Sequence, residues 1–185
     1  MRPSMSPGDR AVVIGDGMVG HWAAQTLQHR GARVLMLGRH DERLAVWRPE
    51  VGDDALNVAT LGEWLERVRS WADGGLQVIA DTVGSVATIE ALFPLLRHDG
   101  HISSAGFYGP NGRLDIQMLR NREATLHAPA GWSKERMDAT LDLVAAGALT
   151  TSHLITHRMP AARAADAFDL ILRRTEPVLG VVLDW

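Results

Sequence analysis

Residues 11–20 of the chain read AVVIGDGMVG, a short apolar run followed by a glycine-rich turn. The apolar run at 11–14 has the composition of a buried parallel strand. The turn matches the pattern GxGxxG, and helical spacing of apolar residues begins inside it and continues to position 30. A strand, a glycine turn and a helix in this order predict the first unit of a Rossmann-type domain, which binds a dinucleotide.

Each glycine of the turn has a predicted role. Gly15 makes the tight turn, Gly17 lets the backbone approach a pyrophosphate, and Gly20 lets the helix pack close to the strand. The helix N-terminus at Met18 and Val19 then offers free N–H groups and a positive dipole end to the phosphates. The alternative is a glycine turn with a purely structural role.

The rest of the chain alternates between strand and helix patterns. Further strands are predicted at 33–37, 55–58, 76–80, 101–105, 124–128 and 178–183, and helices at 41–46, 62–71, 85–97, 116–122, 133–146 and 161–173, with a loop at 47–54 and a turn at 98–100. This order predicts an α/β fold, a doubly wound, mostly parallel six-stranded Rossmann sheet with helices on both faces. Residues 1–8 are predicted to be an N-terminal tail, and 9–185 a single dinucleotide-binding domain.

The end of the second strand indicates which dinucleotide is bound. NAD-binding domains place an acid there to hold the ribose 2′-hydroxyl. This chain instead has Gly38, Arg39 and His40, with Arg43 one helical turn further on. A guanidinium suits a phosphate, so the sequence predicts NADP rather than NAD. Two alternatives stay open: the arginines are solvated surface charges, or Asp41 reaches a ribose hydroxyl.

Composition excludes several classes of function. The formal net charge is −3, so nothing argues for a nucleic-acid partner, and the predicted partner is a small-molecule substrate. The chain contains no cysteine, which excludes disulfides and cysteine-ligated zinc. No apolar run is long enough to cross a membrane, and residues 1–9 lack the apolar core of a secretory signal. We therefore expect a soluble, cytoplasmic protein with no membrane partner.

Several stretches resemble one enzyme family in the same order along the chain. They are PGDRAVVIGDGMVG at 7–20, IADTVG at 79–84, HISSAGFYG at 101–109, LITHR at 154–158 and AADAF at 164–168. Together they resemble the cofactor domain of the medium-chain dehydrogenase/reductase family, of the zinc-type alcohol dehydrogenase-like kind. The resemblance covers nearly the whole chain from position 7. Within the family, AGFY at 105–108 and VLDW at 182–185 are similar to the bacteriochlorophyllide dehydrogenase branch.

The resemblance implies an oxidoreductase that transfers hydride to or from a carbonyl, an alcohol or an enone. It also implies that Thr82 and Val83 line the nicotinamide side of the cofactor, with Gly106 and Phe107 opposite. Members of the family begin with a GroES-like catalytic domain that is absent from this sequence, so their catalytic residues cannot be carried over. The alternatives are a truncated, non-catalytic module that binds a cofactor or a partner, and an enzyme that reuses the cleft for a non-redox reaction.

Two residues are candidates for proton transfer. Tyr108 follows the fifth strand at the carboxyl edge of the sheet, where it could protonate a carbonyl, orient a substrate or simply pack over the nicotinamide. His127 ends the sixth strand and is a more remote candidate acid. His153 and His157 are spaced i, i+4, but the segment around them is a poor helix and has no carboxylate at metal-ligand spacing. No metal site is predicted.

The last predicted strand, 178–183, is apolar and rich in β-branched residues. In the resembled family the last strands pair across a dimer, which implies a homodimer formed through such an edge. A domain without its catalytic half would also expose an apolar face, so a separate catalytic domain or chain is the other predicted partner.

Overall fold

A computed structural model describes residues 4–47, 55–110, 112–173 and 175–185. Its main sheet has six parallel strands, as predicted from the alternation of elements, and their order is β3-β2-β1-β4-β5-β6. These strands are β1 (Arg10–Ile14), β2 (Arg33–Gly38), β3 (Ala55–Asn57), β4 (Leu76–Asp81), β5 (Leu96–Ser104) and β6 (Thr125–His127). The predicted loop at 47–54, apart from Trp47, lies outside the described residues.

Helices cover both faces of this sheet because successive strand residues point to opposite sides. The helices are α1 (Met18–His29), α2 (Asp41–Val46), α3 (Trp64–Ala72), α4 (Val86–Leu92), α5 (Ile116–Arg120), α6 (Lys134–Ala145) and α7 (Ala164–Arg173). On one face, Val12 and Leu35 pack with Ile89 of α4. On the other face, Val13 and Met36 pack with residues of α1 and α2. The doubly wound architecture is confirmed.

Two strands lie outside the main sheet. β7 (Ile155–Pro160) and β8 (Gly180–Asp184) pair in parallel as a separate two-stranded sheet, connected through α7. The sequence predicted the last strand but missed β7, because its half-buried positions, Ile155, His157 and Met159, do not form an apolar alternation and the strand ends in a proline. Gln25 of α1 is hydrogen-bonded to Thr150, which ties the segment before β7 to the phosphate-side helix.

The prediction of one helix over 85–97 followed by a turn at 98–100 is wrong. α4 ends at Leu92, a short 3-10 helix spans Phe93–Leu95, and β5 begins at Leu96. Pro94 explains the early end, because it has no N–H to continue the α-helical ladder. The β4–β5 pairing shifts register beyond Leu76, and Asp99 has a φ of 57°.

The described part of the predicted N-terminal tail is attached to the domain. The N–H of Gly8 donates to the carbonyl of Gly31 at 2.8 Å, and the N–H of Ser4 donates to His101 at 3.1 Å. Asp9 pairs with Arg97 at 2.9 Å. Residues 4–9 therefore form a strap beside the sheet. Across the described residues, no helix is long and apolar enough to span a membrane.

Candidate functional site

A cleft of about 540 Å³ opens at the carboxyl ends of β1, β2 and β4. In doubly wound sheets ligands bind at this edge, where the strand order reverses. All of the predicted cofactor-binding residues line the cleft except Gly106 and Phe107. The other lining residues were not predicted from the sequence, and they are Ile14, Asp16, Leu37, Val58, Ser85, Thr88 and Leu179.

The glycine turn forms the floor of the cleft. Gly15 has a φ of 121°, and a β-carbon there would collide with Thr82. A β-carbon on Gly20 would collide with the carbonyl of Gly15, so the helix can approach the strand only without a side chain. Gly17 faces open space, and no side chain caps the helix that starts after it. The first N–H groups of α1 are therefore free to bind an anion.

The carboxylate of Asp16 lies beneath the end of β2. Its Oδ2 accepts the backbone N–H of Arg39 at 2.7 Å and that of His40 at 2.9 Å, and it lies 2.9 Å from the His40 ring. Burial alone would raise the pKa of Asp16, but these hydrogen bonds outweigh it and hold the pKa below 3.8. Asp16 is only 6% exposed, so its carboxylate is directed at the backbone N–H groups of Arg39 and His40 rather than at a ligand.

Two arginines border the same corner of the cleft. Arg43 lies 3.8 Å from Asp16 and partly offsets its charge. Arg39 is exposed, and its guanidinium makes no hydrogen bond or ion pair with any residue that the structure describes. Asp41 accepts a hydrogen bond from Asn57 at 2.8 Å and does not line the cleft. Among the described residues, the charge that is left unpaired at this corner, where β2 ends, is thus the positive charge of Arg39.

The other end of the cleft is walled by residues that follow β4. Thr82 is anchored twice to the carbonyl of Ile14, through its N–H at 2.9 Å and its hydroxyl at 2.8 Å. Val83 lies next to it in the wall. Gly106 and Phe107 contact the Val83–Gly84 backbone without lining the cleft, and the side chain of Phe107 is 97% exposed.

Neither candidate for proton transfer lines the cleft. The Tyr108 hydroxyl is buried close to the side chains of Ser104 and Asp81, but it makes no hydrogen bond of good geometry with them or with any other described group. Burial raises the pKa of Tyr108 to about 12, and the nearby Asp81 carboxyl adds to the shift. His127 Nε2 lies 3.1 Å from His101 Nδ1, on a face of the sheet near Ser4. Proton transfer by either residue stays a prediction that this placement does not favour.

Potential metal ligands do not gather at the cleft. Among the described residues, the close group of three is His98, Asp99 and Glu123, all exposed and at the amino end of β5. His153 contacts Thr150, and His157 lies 3.3 Å from Glu176 in a different part of the fold. The described part of the chain therefore does not bring the donor set of a zinc site to the cleft.

The sequence profile of one family, described as zinc-binding dehydrogenase, matches residues 18–146. The 2-desacetyl-2-hydroxyethyl bacteriochlorophyllide A dehydrogenase of Cereibacter sphaeroides is 36% identical over 107 residues, which is 58% of this chain and 33% of that protein. The D-arabitol-phosphate dehydrogenase of Enterococcus avium is 27% identical over 173 residues, which is 91% of this chain and 49% of that protein.

Solved structures give the same picture of the fold. An alcohol dehydrogenase from Thermus sp. ATN1 superposes with a TM-score of 0.79 at 28% identity, over 97% of this chain and 52% of that one. An alcohol dehydrogenase from E. coli CFT073, complexed with NADH, superposes with a TM-score of 0.82 at 20% identity, over 96% of this chain and 52% of that one. The chain thus spans about half the length of these relatives.

Proposed function

The chain belongs to the zinc-binding dehydrogenase family, and from this premise we propose that it is the NADP(H)-binding domain of an oxidoreductase. The family relationship supports binding of a nicotinamide dinucleotide and oxidoreductase chemistry. The nicotinamide supplies the hydride when the cofactor is bound. The chain's own residues would hold and orient the cofactor in the cleft at the carboxyl ends of β1, β2 and β4.

One observation carries the preference for NADP(H). The guanidinium of Arg39 stands unpaired, among the described residues, at the corner where the second strand ends and the ribose lies. Asp16, the carboxylate beneath that corner, is already committed to the backbone of Arg39 and His40. A 2′-phosphate would therefore meet a positive group with free donors, rather than an acid suited to a 2′-hydroxyl.

The cleft fits the rest of the dinucleotide. The free N–H groups at the start of α1 would bind the pyrophosphate, and the open space at Gly17 would let it approach. Thr82 and Val83 would contact the nicotinamide side. The substrate, proposed to be a carbonyl, an alcohol or an enone, would meet the hydride at the outer end of this wall.

Proton transfer to the substrate is assigned to groups outside the described cleft. The relatives are about twice as long as this chain, and neither Tyr108 nor His127 reaches the cleft. We therefore expect turnover to require a catalytic domain or chain in addition to these residues. A binding module without chemistry of its own is the second candidate function, and the placement of Tyr108 and His127 away from the cleft supports it.

Calorimetric titration tests the cofactor assignment. The chain is titrated with NADPH and with NADH, alongside Arg39→Ala and a matched control, Arg33→Ala, at the exposed amino end of the same strand. NADPH is expected to bind at least about tenfold more tightly than NADH, with the preference lost only in Arg39→Ala. Equal affinities in the unaltered chain would overturn the NADP(H) assignment, and no binding of either dinucleotide would overturn dinucleotide binding itself.

A further inference from the structure

Two loops meet at the carboxyl ends of β4 and β5. The first loop spans 82–85 and the second spans 105–108. Gly84 has a φ of 90°, and a β-carbon there would collide with the carbonyl of Phe107. A β-carbon on Gly106 would collide with the backbone N of Gly84. The loops are therefore in direct backbone contact, which only glycine at these two positions allows.

The carboxylate of Asp81 holds the first loop. Its Oδ1 accepts the backbone N–H of Val83 at 2.9 Å, and its Oδ2 accepts that of Ser85 at 2.9 Å. The N–H of Gly84 lies between them, 3.2 Å from Oδ1 and 3.1 Å from Oδ2. Three successive N–H groups thus converge on one side chain.

The backbone carbonyl of the same residue holds the second loop. It accepts the N–H of Ala105 at 2.8 Å and the N–H of Gly106 at 3.1 Å. Asp81 is 0% exposed, and it makes no ion pair with any described residue. The carboxylate is therefore surrounded by backbone N–H groups, and hydrogen bonds from such donors to a carboxylate shielded from water are strong.

The first loop borders the part of the cleft away from the ribose corner. Val83 and Ser85 line this part, whereas Gly38 and Arg39 lie at the β2 end. In this fold the pyrophosphate crosses at the start of α1, so the half of the cofactor beyond it lies over β4 and β5. The loops that Asp81 fixes are the wall that this half would meet.

We propose that Asp81 is a positioning residue for the nicotinamide half of the bound dinucleotide, an inference that rests on the proposed function. Asp81 acts through the 82–85 and 105–108 loops and does not line the cleft itself. The glycine turn and the start of α1, which would meet the pyrophosphate, donate no hydrogen bond to the Asp81 carboxylate among the described residues, so this region keeps its shape when the carboxylate is changed. Loss of the carboxylate should therefore change the shape of the cleft on the nicotinamide side and leave the ribose side, at the end of β2, unchanged.

The substitution Asp81→Asn tests whether the effect is confined to the nicotinamide side of the cleft. An amide has one oxygen instead of two, so its NH2 group faces an N–H that previously had an acceptor. Binding of NADPH is compared with binding of adenosine 2′,5′-bisphosphate, which carries the adenine, the ribose and the 2′-phosphate but no nicotinamide. Asp138→Asn on α6, an exposed carboxylate paired with Lys134, is the matched control.

Asp81→Asn is expected to weaken NADPH binding about tenfold while leaving the bisphosphate affinity within a factor of about two. The fluorescence of bound NADPH, which reports on the surroundings of the nicotinamide, is expected to shift toward that of the free cofactor. Asp138→Asn is expected to change neither affinity. Equal weakening of both ligands, or of neither, would overturn the positioning role.

A second variant covers the case in which Asp81→Asn does not fold. Gly106→Ala forces the two loops apart without touching the carboxylate, and it is expected to give the same selective loss of NADPH binding. An unchanged NADPH affinity in Gly106→Ala would overturn the inference. If the unaltered chain bound the bisphosphate but not NADPH, the inference would also fail, whereas binding of neither would overturn the proposed function together with it.

Discussion

A β-carbon at position 38 would lie 2.5 Å from Oδ2 of Asp16, so the Asp16 carboxylate fills the space that a side chain at Gly38 would need. The glycine ends β2, and the aspartate belongs to the phosphate turn. The Asp16 carboxylate thereby connects the phosphate turn to the end of β2, where the ribose of the proposed cofactor would lie. A carboxylate that many dinucleotide-binding domains carry at the end of β2 is here supplied from the turn, buried, and directed at the backbone.

The substitution Gly38→Ala tests this close approach. The added methyl group must displace the Asp16 carboxylate and its bonds to Arg39 and His40, so we expect the free energy of unfolding to fall by about 1–3 kcal/mol. Urea denaturation measures the change. Gly62→Ala is the control, because a β-carbon there meets open space. Equal stability of the two variants would contradict this interpretation.

The Asp16 carboxylate also predicts a dependence on pH. Its pKa is lower in the folded chain than the ordinary value of 3.8, so the ionised form stabilises the fold. This stabilisation is complete above the unfolded pKa and is lost as the pH falls through the lower, folded pKa. Asp16→Asn is expected to cost about 1–3 kcal/mol near neutral pH, and less as the pH is lowered toward about 2. A constant difference between variant and parent across this range would contradict the prediction.

The histidine pair near the strap predicts a second dependence on pH. Burial, together with His127 and Arg30, lowers the pKa of His101 below 6.5. The N–H of Ser4 donates to His101 Nε2, which requires the neutral ring. The unfolded chain takes up the proton first, so stability is full above about pH 6.5 and falls as the pH drops below it. Burial lowers the pKa of His21 and of His127 as well, so His101→Gln is expected to make this profile less steep in urea denaturation rather than flat, and the exposed His29→Gln is the control.

The buried hydroxyl of Tyr108 predicts an unusual response to substitution. Because no described group hydrogen-bonds to it, Tyr108→Phe removes an unsatisfied polar atom and is expected to leave stability unchanged or raise it by up to about 2 kcal/mol. Thermal unfolding measures this effect. A loss of stability would contradict this prediction and show that the hydroxyl stabilises the fold. A loss of turnover in a catalytically competent assembly would show that it has a role in function.

The open edge of β8 supports the expected homodimer. β8 pairs with β7 on one side only in the described part of the chain, and Val181, Val182 and Leu183 are partly exposed. A second copy can pair with this edge about a two-fold axis. Light scattering is expected to give twice the mass of the 20.2 kDa chain, and Val182→Pro is expected to give the monomer. A monomeric parent chain would contradict the prediction.

The glycine turn and the alternation of strands and helices could be predicted from the sequence because local patterns determine them. The GxGxxG spacing, the apolar run at 11–14 and the alternation of elements each act over a few residues. The early end of α4 could also have been anticipated from Pro94. β7 could not, because the polar His157 interrupts the apolar residues on its half-buried side and its partner lies more than twenty residues away.

The sequence did not predict the roles of Asp16 and Asp81. The pattern GxGxxG leaves position 16 unspecified, although an acid in the turn together with Gly38 at the end of β2 is a signal for the role of Asp16. Asp81 was part of a recognised motif, but its three N–H donors come from the chain path after it. Side-chain hydrogen bonds of this kind depend on backbone geometry that composition and periodicity do not describe.

The separate β7–β8 sheet should unfold more readily than the six-stranded sheet. Its strands are largely half-exposed, whereas β1 and β4 are buried along nearly their whole length. Amide hydrogens in 155–159 and 180–184 should therefore exchange with solvent through a partial unfolding that leaves the six-stranded sheet intact. Those of β1 and β4 should exchange only when the whole domain unfolds, so the chain would contain two cooperative units within one fold.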